Sequence, residues 1–249
     1  MEALLFAPLA IWIVHSAWSV LDRRAALFLL ATGVLHLLYS EALLRGYRAG
    51  DLTVVYPLTR GTAPLLSFFG AVLILRESPS LLAAVGAVLI SSGILLAMGG
   101  LSALRSRRSR AGLFWGIATG CTIAAYTLVD AYSVKVLLIS PFLVEYAGNL
   151  FRGIVLSGAA WRERGALLPE YRQCWQEAFG IATLTPMAYV LVLFAMRLAP
   201  VSHVAPVREM SMMVGMYFGV RFLREGQIAR RIAGAVLIVL GVAALTLGR

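Results

Sequence analysis

Residues 80–99 read SLLAAVGAVLISSGILLAMG, twenty positions without a charge. A helix of that length is about 30 Å long, the thickness of a bilayer's hydrocarbon core. A barrel strand would alternate apolar and polar residues over about ten positions. This run is continuous, so a membrane-spanning helix is the expected element.

Eight further apolar runs flank it, at roughly 3–20, 26–44, 52–75, 112–133, 138–160, 177–197, 201–222 and 229–247. Charged and proline-bearing breaks separate them, among them Arg76-Glu77-Ser78-Pro79, the basic stretch 105–110 and Leu198-Ala199-Pro200. The longest polar connection, 161–176, holds Trp161, Tyr171 and Trp175 and reads as a headgroup-level segment. The start, Met1-Glu2, lacks the positive region of a signal peptide, so the first run reads as a membrane segment. The fold class expected is all-α, a polytopic membrane helix bundle of nine transmembrane helices.

Composition agrees. Of 249 residues, 60% are hydrophobic and 14% charged, against about a quarter charged in a soluble domain. Mean hydropathy is +0.85. The net charge of +10 would suggest nucleic acid in a soluble protein, but here the arginines sit between apolar runs and meet lipid headgroups. Cys121 and Cys174 imply no disulfide framework.

The chain repeats itself. Arg76-Glu77, Gly86-Ala87-Val88-Leu89-Ile90 and Gly93 recur as Arg224-Glu225, Gly234-Ala235-Val236-Leu237-Ile238 and Gly241, all at an offset of 148. Arg48 and Pro57 recur as Arg197 and Pro206 at 149. The first repeat is placed at 1–104 with four helices, its first of five expected to be missing, and the second at 105–249 with five. An odd helix number per repeat inserts the halves in opposite senses, the inverted-repeat plan of many transporters.

The stretch Arg48-Ala49-Gly50-Asp51-Leu52-Thr53-Val54-Val55-Tyr56-Pro57-Leu58-Thr59-Arg60-Gly61 resembles the fourth-helix signature of EamA-type transporters of the drug/metabolite transporter superfamily. Arg197 to Glu209 resembles the equivalent ninth helix, and the likeness runs from about Ala26 to the C-terminus. It implies ten helices in two five-helix repeats around a central cavity, carrying small organic metabolites, often outward. Leu5-Phe6-Ala7-Pro8-Leu9 looks like the tail of that family's second helix, so the first helix is expected to be missing.

Ionisable groups inside spans cost roughly 2.5–3.5 kcal/mol each on insertion scales and mark candidate sites. Glu41, Arg60, Asp130, Glu145, Arg152, Arg208 and Glu209 all fall there. Arg60 and Arg208 follow prolines at near-equivalent repeat positions. They suit a substrate carboxylate or phosphate, or a gate made with carboxylates. Alternatively each is neutralised by a glutamate and fixes packing. Glu145, Asn149 and Arg152 share one helical face, as do Tyr126 and Asp130. Asp130 and Glu145 are also candidates for a coupling proton. Gly112, Gly116 and Gly120 form a stripe for close helix packing. Tyr39, Tyr56, Trp115, Tyr189 and Tyr217 read mainly as packing or interface anchors, and Met210, Met212, Met213 and Met216 as adaptable packing. His15, His36 and His203 are isolated, and no metal site is expected.

The function expected is secondary transport of a small organic metabolite or drug across the membrane by alternating access, with export as the expected direction. Runner-up readings are a lipid-linked sugar flippase and a non-transporting relic. With no phosphate-binding loop and no nucleophile elbow, neither an ATPase nor an intramembrane enzyme is expected, and no cofactor. Expected partners are the substrate and membrane lipid, with a homodimer left open and no nucleic acid. The location expected is a bacterial inner membrane. A count of loop arginines puts the C-terminus outside; the resemblance implies a cytoplasmic one, which is the expectation kept.

Overall fold

The computed structural model describes residues 5–16, 22–50, 52–97, 107–211, 213–214 and 228–248. Its elements are α1 (Ala7–Ser16), α2 (Arg23–Ala49), α3 (Leu52–Leu73), α4 (Leu81–Ala97), α5 (Arg107–Lys135), α6 (Pro141–Arg162), α7 (Arg164–Gln173), α8 (Trp175–Leu198), α9 (Val201–Arg208) and α10 (Ile228–Leu247). Among the described residues there is no strand. Each of the nine apolar runs carries a helix, and the chain is an all-α polytopic helix bundle. Among the described residues helix α7 adds a tenth element within the polar connection, where Trp161, Tyr171 and Trp175 are exposed. Arg164 lies 4.6 Å over the Trp161 ring. Met212, Met216, Tyr217, Arg221, Arg224 and Glu225 lie outside the described residues.

Four described helices, Arg23–Ala49, Arg110–Lys135, Trp175–Leu198 and Ala229–Leu247, are long and apolar enough to cross a membrane; Leu58–Leu73 and Leu81–Ala97 are shorter apolar helices. The chain forms two compact units, 1–37 with 129–198, and 38–128 with 199–249. Helices α2 and α5 each contribute to both.

The second unit is built on the pair α4 and α10. Lipid tails are as apolar as leucine, so helices associate in a membrane by close packing, and small residues permit it. On α4 the buried positions include Ala83, Gly86, Ala87, Ile90, Gly93, Ile94 and Ala97, while Leu81, Val85 and Val88 face outward. On α10, Ile238 and Leu245 are buried and Val236, Val239 and Leu240 are exposed. The glycines meet reciprocally. A methyl group on Gly86 would fall 2.6 Å from the Gly241 carbonyl oxygen, and one on Gly93 would fall 2.6 Å from that of Gly234. The reverse contacts measure 2.6 and 2.5 Å. At the end of the pair the Ser80 hydroxyl donates to the Gly248 carbonyl oxygen at 2.5 Å.

These pairings make the helices antiparallel. They also obey the repeat. Gly234 and Gly241 are the repeat images of Gly86 and Gly93, so exchanging the helices maps one contact onto the other. A local two-fold axis perpendicular to the pair is the operation that does this. Phe68 packs into the same core, with Tyr56, Leu65, Val207 and Met213 around it. The stripe of the fifth helix also packs: Gly112 meets Gly50, and Gly116 meets Leu58 and the carbonyl of Val55.

Helix α9 corrects the sequence expectation of one span over 201–222. It stops at Arg208, and residues 209–210 form a turn before helical geometry resumes at 211. Pro206 lacks the N–H that would bond the Ser202 carbonyl. The amides beyond it tighten to three-residue spacing, Glu209 N–H to Pro206 O at 3.0 Å and Met210 N–H to Val207 O at 3.0 Å. In α3 the helix runs unbroken through position 57, the repeat partner of Pro206.

Both ends of α9 are charge-matched. Arg208 stands at its C-terminus. At the N-terminus, the Glu77 carboxylate accepts Val201 N–H at 2.7 Å and Ser202 N–H at 2.9 Å. Glu77 is aimed there by the turn after α3, where Arg76 adopts φ 56° and the Glu77 N–H closes back on Ala71 O at 3.1 Å. Removing this clasp strands two amides of the first helical turn. Glu77→Ala should therefore cost about 2 kcal/mol and Glu77→Gln roughly half that, read as lowered melting of the detergent-solubilised protein. Equal melting of Glu77→Ala and wild type would refute the clasp.

The first unit gathers α1, α6, α7 and α8 with the adjoining parts of α2 and α5. Gly33 on α2 lies against Phe151 on α6, where a methyl group would fall 2.7 Å from the phenylalanine. Phe28 stacks on Tyr132 with centroids 4.9 Å apart, and Phe6 meets Phe142 edge-on at 5.7 Å.

Candidate functional site

In the second unit, Arg60 and Arg208 converge on one carboxylate. Glu209 caps α9 and is 1% exposed. Arg208 Nε donates to its Oε1 at 3.3 Å, and Arg60 Nη1 stands 3.5 Å from its Oε2. The helix break positions all three. It turns Glu209 inward directly after Arg208, while Arg60 reaches the same point from the unbroken α3.

The two arginines are held differently. Arg208 is largely buried, whereas the Arg60 side chain is 34% exposed. Arg60 rests 5.6 Å over the Tyr56 ring. Tyr126 meets Tyr39 edge-on at 5.7 Å. Arg60 thus has a long ion pair, no hydrogen bond to Glu209, and a planar guanidinium over one phenol ring. A carboxylate or phosphate would fit such a group with two parallel N–H donors.

In the first unit, Asp130 is fully buried and held by donors from two other helices. Thr32 Oγ1 of α2 donates to Asp130 Oδ1, and Tyr189 Oη of α8 donates to Oδ2 at 2.7 Å. His36 Nδ1 donates to the Thr32 carbonyl oxygen at 2.9 Å, and its ring meets Tyr189 edge-on at 5.8 Å. His36 is therefore part of a network, not isolated. Its spacing of four from Thr32 was the signal available in the sequence; the link to Asp130 was not.

The face Glu145–Asn149–Arg152 forms a chain of hydrogen bonds. Asn149 Nδ2 donates to Glu145 Oε1 at 2.9 Å, and Arg152 Nη2 donates to Asn149 Oδ1. Glu145 and Asn149 line a cavity of about 310 Å³ bounded by α1, α6 and α8. Glu41 lies apart from these groups: it pairs with Arg45 at 2.8 Å, and both side chains are at least half exposed. Arg45 lies 5.6 Å over Trp115.

Residues 110–247 match the profile of the EamA-like transporter family. No curated protein matches the chain. Nineteen chains of solved structures match it. One, a crystal structure of a protein 12% identical, superposes with a TM-score of 0.69 over 99% of this chain and 87% of its own. At that identity the likeness shows the fold alone.

Proposed function

Because this chain belongs to the EamA-like transporter family, we propose that it is a secondary transporter exporting a small organic metabolite by alternating access, with Arg60, Arg208 and Glu209 at the substrate site. It is an integral membrane protein of a transporter family, and the membrane we propose for it is a bacterial inner membrane. The observation that carries the site is the convergence of two arginines on a buried carboxylate at a broken helix. Interrupted helices with charged ends are how many carriers build a site near the bilayer midplane.

In this reading Glu209 is a stand-in for substrate. An incoming anionic group competes with it for Arg60, whose ion pair is long and whose donors are accessible. Arg208 keeps Glu209 in place when the substrate leaves. The reciprocal contacts of α4 and α10 support two inverted halves, 1–104 and 105–249.

The test is counterflow in proteoliposomes against a panel of amino acids, organic acids and sugar phosphates. Arg60→Ala should lower uptake of the transported compound at least about a hundredfold, while Arg60→Lys retains part of it. Insertion should be unchanged in both. Undiminished flux in well-folded Arg60→Ala would remove Arg60 from the site.

A further inference from the structure

In the second unit the end of α2 meets the start of α5 through glycines. A methyl group on Gly50 would fall 2.5 Å from the Gly112 Cα, and one on Gly46 would fall 3.2 Å from the Trp115 Cβ. The helices are antiparallel and touch here. Arg45 and Arg48 stand on α2 and Arg110 on α5, all three exposed. At 1.5 Å per residue they lie within about 10 Å of one another along the helix axes, a height that long side chains bridge easily. Acids are scarce around them. Glu41 holds Arg45 at 2.8 Å, and no ion pair reaches Arg48 or Arg110 among the described residues. Directly inward of the arginines the exposed surface turns apolar. Arg110, Phe114 and Ile117 share one face of α5, and Leu44 lies one turn inward of Arg48 on α2; these three apolar side chains are exposed. Arg45 lies 5.6 Å over the Trp115 ring, which meets Phe114 edge-on at 5.3 Å, so the faces of the two helices are continuous.

We infer that this face binds an anionic phospholipid, with Arg48 and Arg110 on its phosphate and its acyl chains along Leu44, Phe114 and Ile117. Charge complementarity selects the headgroup. Two guanidiniums without acids suit a phosphate, whose oxygens match their paired N–H donors. The apolar strip selects a lipid over a free anion. A soluble phosphate would engage the arginines alone, whereas a lipid also covers the surface directly beneath them. A zwitterionic lipid carries its own cation, which cancels the attraction. Trp115 stands at the boundary between the two zones, the level that indole rings favour. Arg45 is occupied by Glu41, an internal competitor for the same phosphate, so removing that carboxylate releases a third guanidinium. The site shares no residue with the cluster at Glu209 and does not rest on the transport reading.

The test is melting of the intact detergent-solubilised protein titrated with dioleoylphosphatidylglycerol, with dioleoylphosphatidylcholine and glycerol phosphate as comparisons. A saturable rise in melting temperature is expected with phosphatidylglycerol and not with the other two. The double variant Arg48→Gln with Arg110→Gln should raise the half-saturating concentration about tenfold or more. Arg23→Gln with Arg24→Gln removes the same charge from the other end of α2, where Asp22 is adjacent, and should stay within about twofold of wild type. Glu41→Gln should bind about threefold more tightly, because Arg45 then turns to the phosphate. An equal rise with either comparison compound overturns the proposal. So does undiminished binding in Arg48→Gln with Arg110→Gln, an equal loss in Arg23→Gln with Arg24→Gln, or no tightening in Glu41→Gln. Binding is read without flux, so its failure is distinct from a failure of the carrier assignment.

Discussion

Gly241→Leu is expected to part α4 from α10 and to cost about 3 kcal/mol or more, read as a large fall in melting temperature and loss of a single elution peak. The cause is distance. Even one methyl group at this position lands 2.6 Å from the Gly86 carbonyl oxygen, and the obstacle is backbone that cannot rotate aside. Leucine adds three more carbons in the same direction. Gly93→Leu meets the Gly234 carbonyl in the same way, so the two variants should behave alike. Gly158 on α6 is the control, because nothing lies within 4 Å of its added carbon. Gly158→Ala should be neutral, or stabilising by up to about 1 kcal/mol through helix propensity. Wild-type melting of Gly241→Leu would mean that α4 and α10 do not touch through these glycines.

The second large effect is expected at Glu209. Glu209→Leu removes the carboxylate between two guanidiniums and leaves like charges facing one another in a poorly hydrated place. A loss of about 3–5 kcal/mol is expected, together with loss of flux. Glu209→Gln keeps the shape and should lose flux with a smaller stability cost. The double variant Arg60→Leu with Glu209→Leu should be more stable than Glu209→Leu alone, since it also removes one of the opposed charges. Additive destabilisation in that cycle would show that the 3.5 Å pair carries no coupling.

Much of the helical framework could be read from the chain. Continuous apolar runs fix where helices lie, because a bilayer forces backbone groups to pair within each segment. The repeat offset marked Gly86, Gly93, Gly234 and Gly241 as equivalent positions without showing that they touch, and the spacing of Glu145, Asn149 and Arg152 anticipated one hydrogen-bonded face. Same-helix spacing carries no information about partners on other helices. Thr32 and Tyr189 lie 98 and 59 positions from Asp130, and Glu77 lies 124 from Val201. The break after Arg208 was illegible for a different reason. Pro206 has a repeat partner at Pro57, yet α3 continues through its proline and α9 does not. A proline only removes a donor; the surrounding packing decides whether the helix yields. Glu41 shows the reverse error of scale: an acid within an apolar run need not be buried, and this one stays exposed beside Arg45.

Asp130 bears on how the chain is made. Its two hydroxyl donors come from opposite sides of it in synthesis, Thr32 earlier and Tyr189 later. When α5 leaves the ribosome, Thr32 of α2 is already made and Tyr189 of α8 is not, and a mid-helix aspartate carries an insertion penalty of roughly 2.5–3.5 kcal/mol. α5 is therefore expected to enter the lipid beside a helix made before it and to gain the Tyr189 bond once α8 emerges. A nascent chain arrested before Tyr189 would hold α5 at the translocation machinery, and its release would mark the arrival of that single phenol.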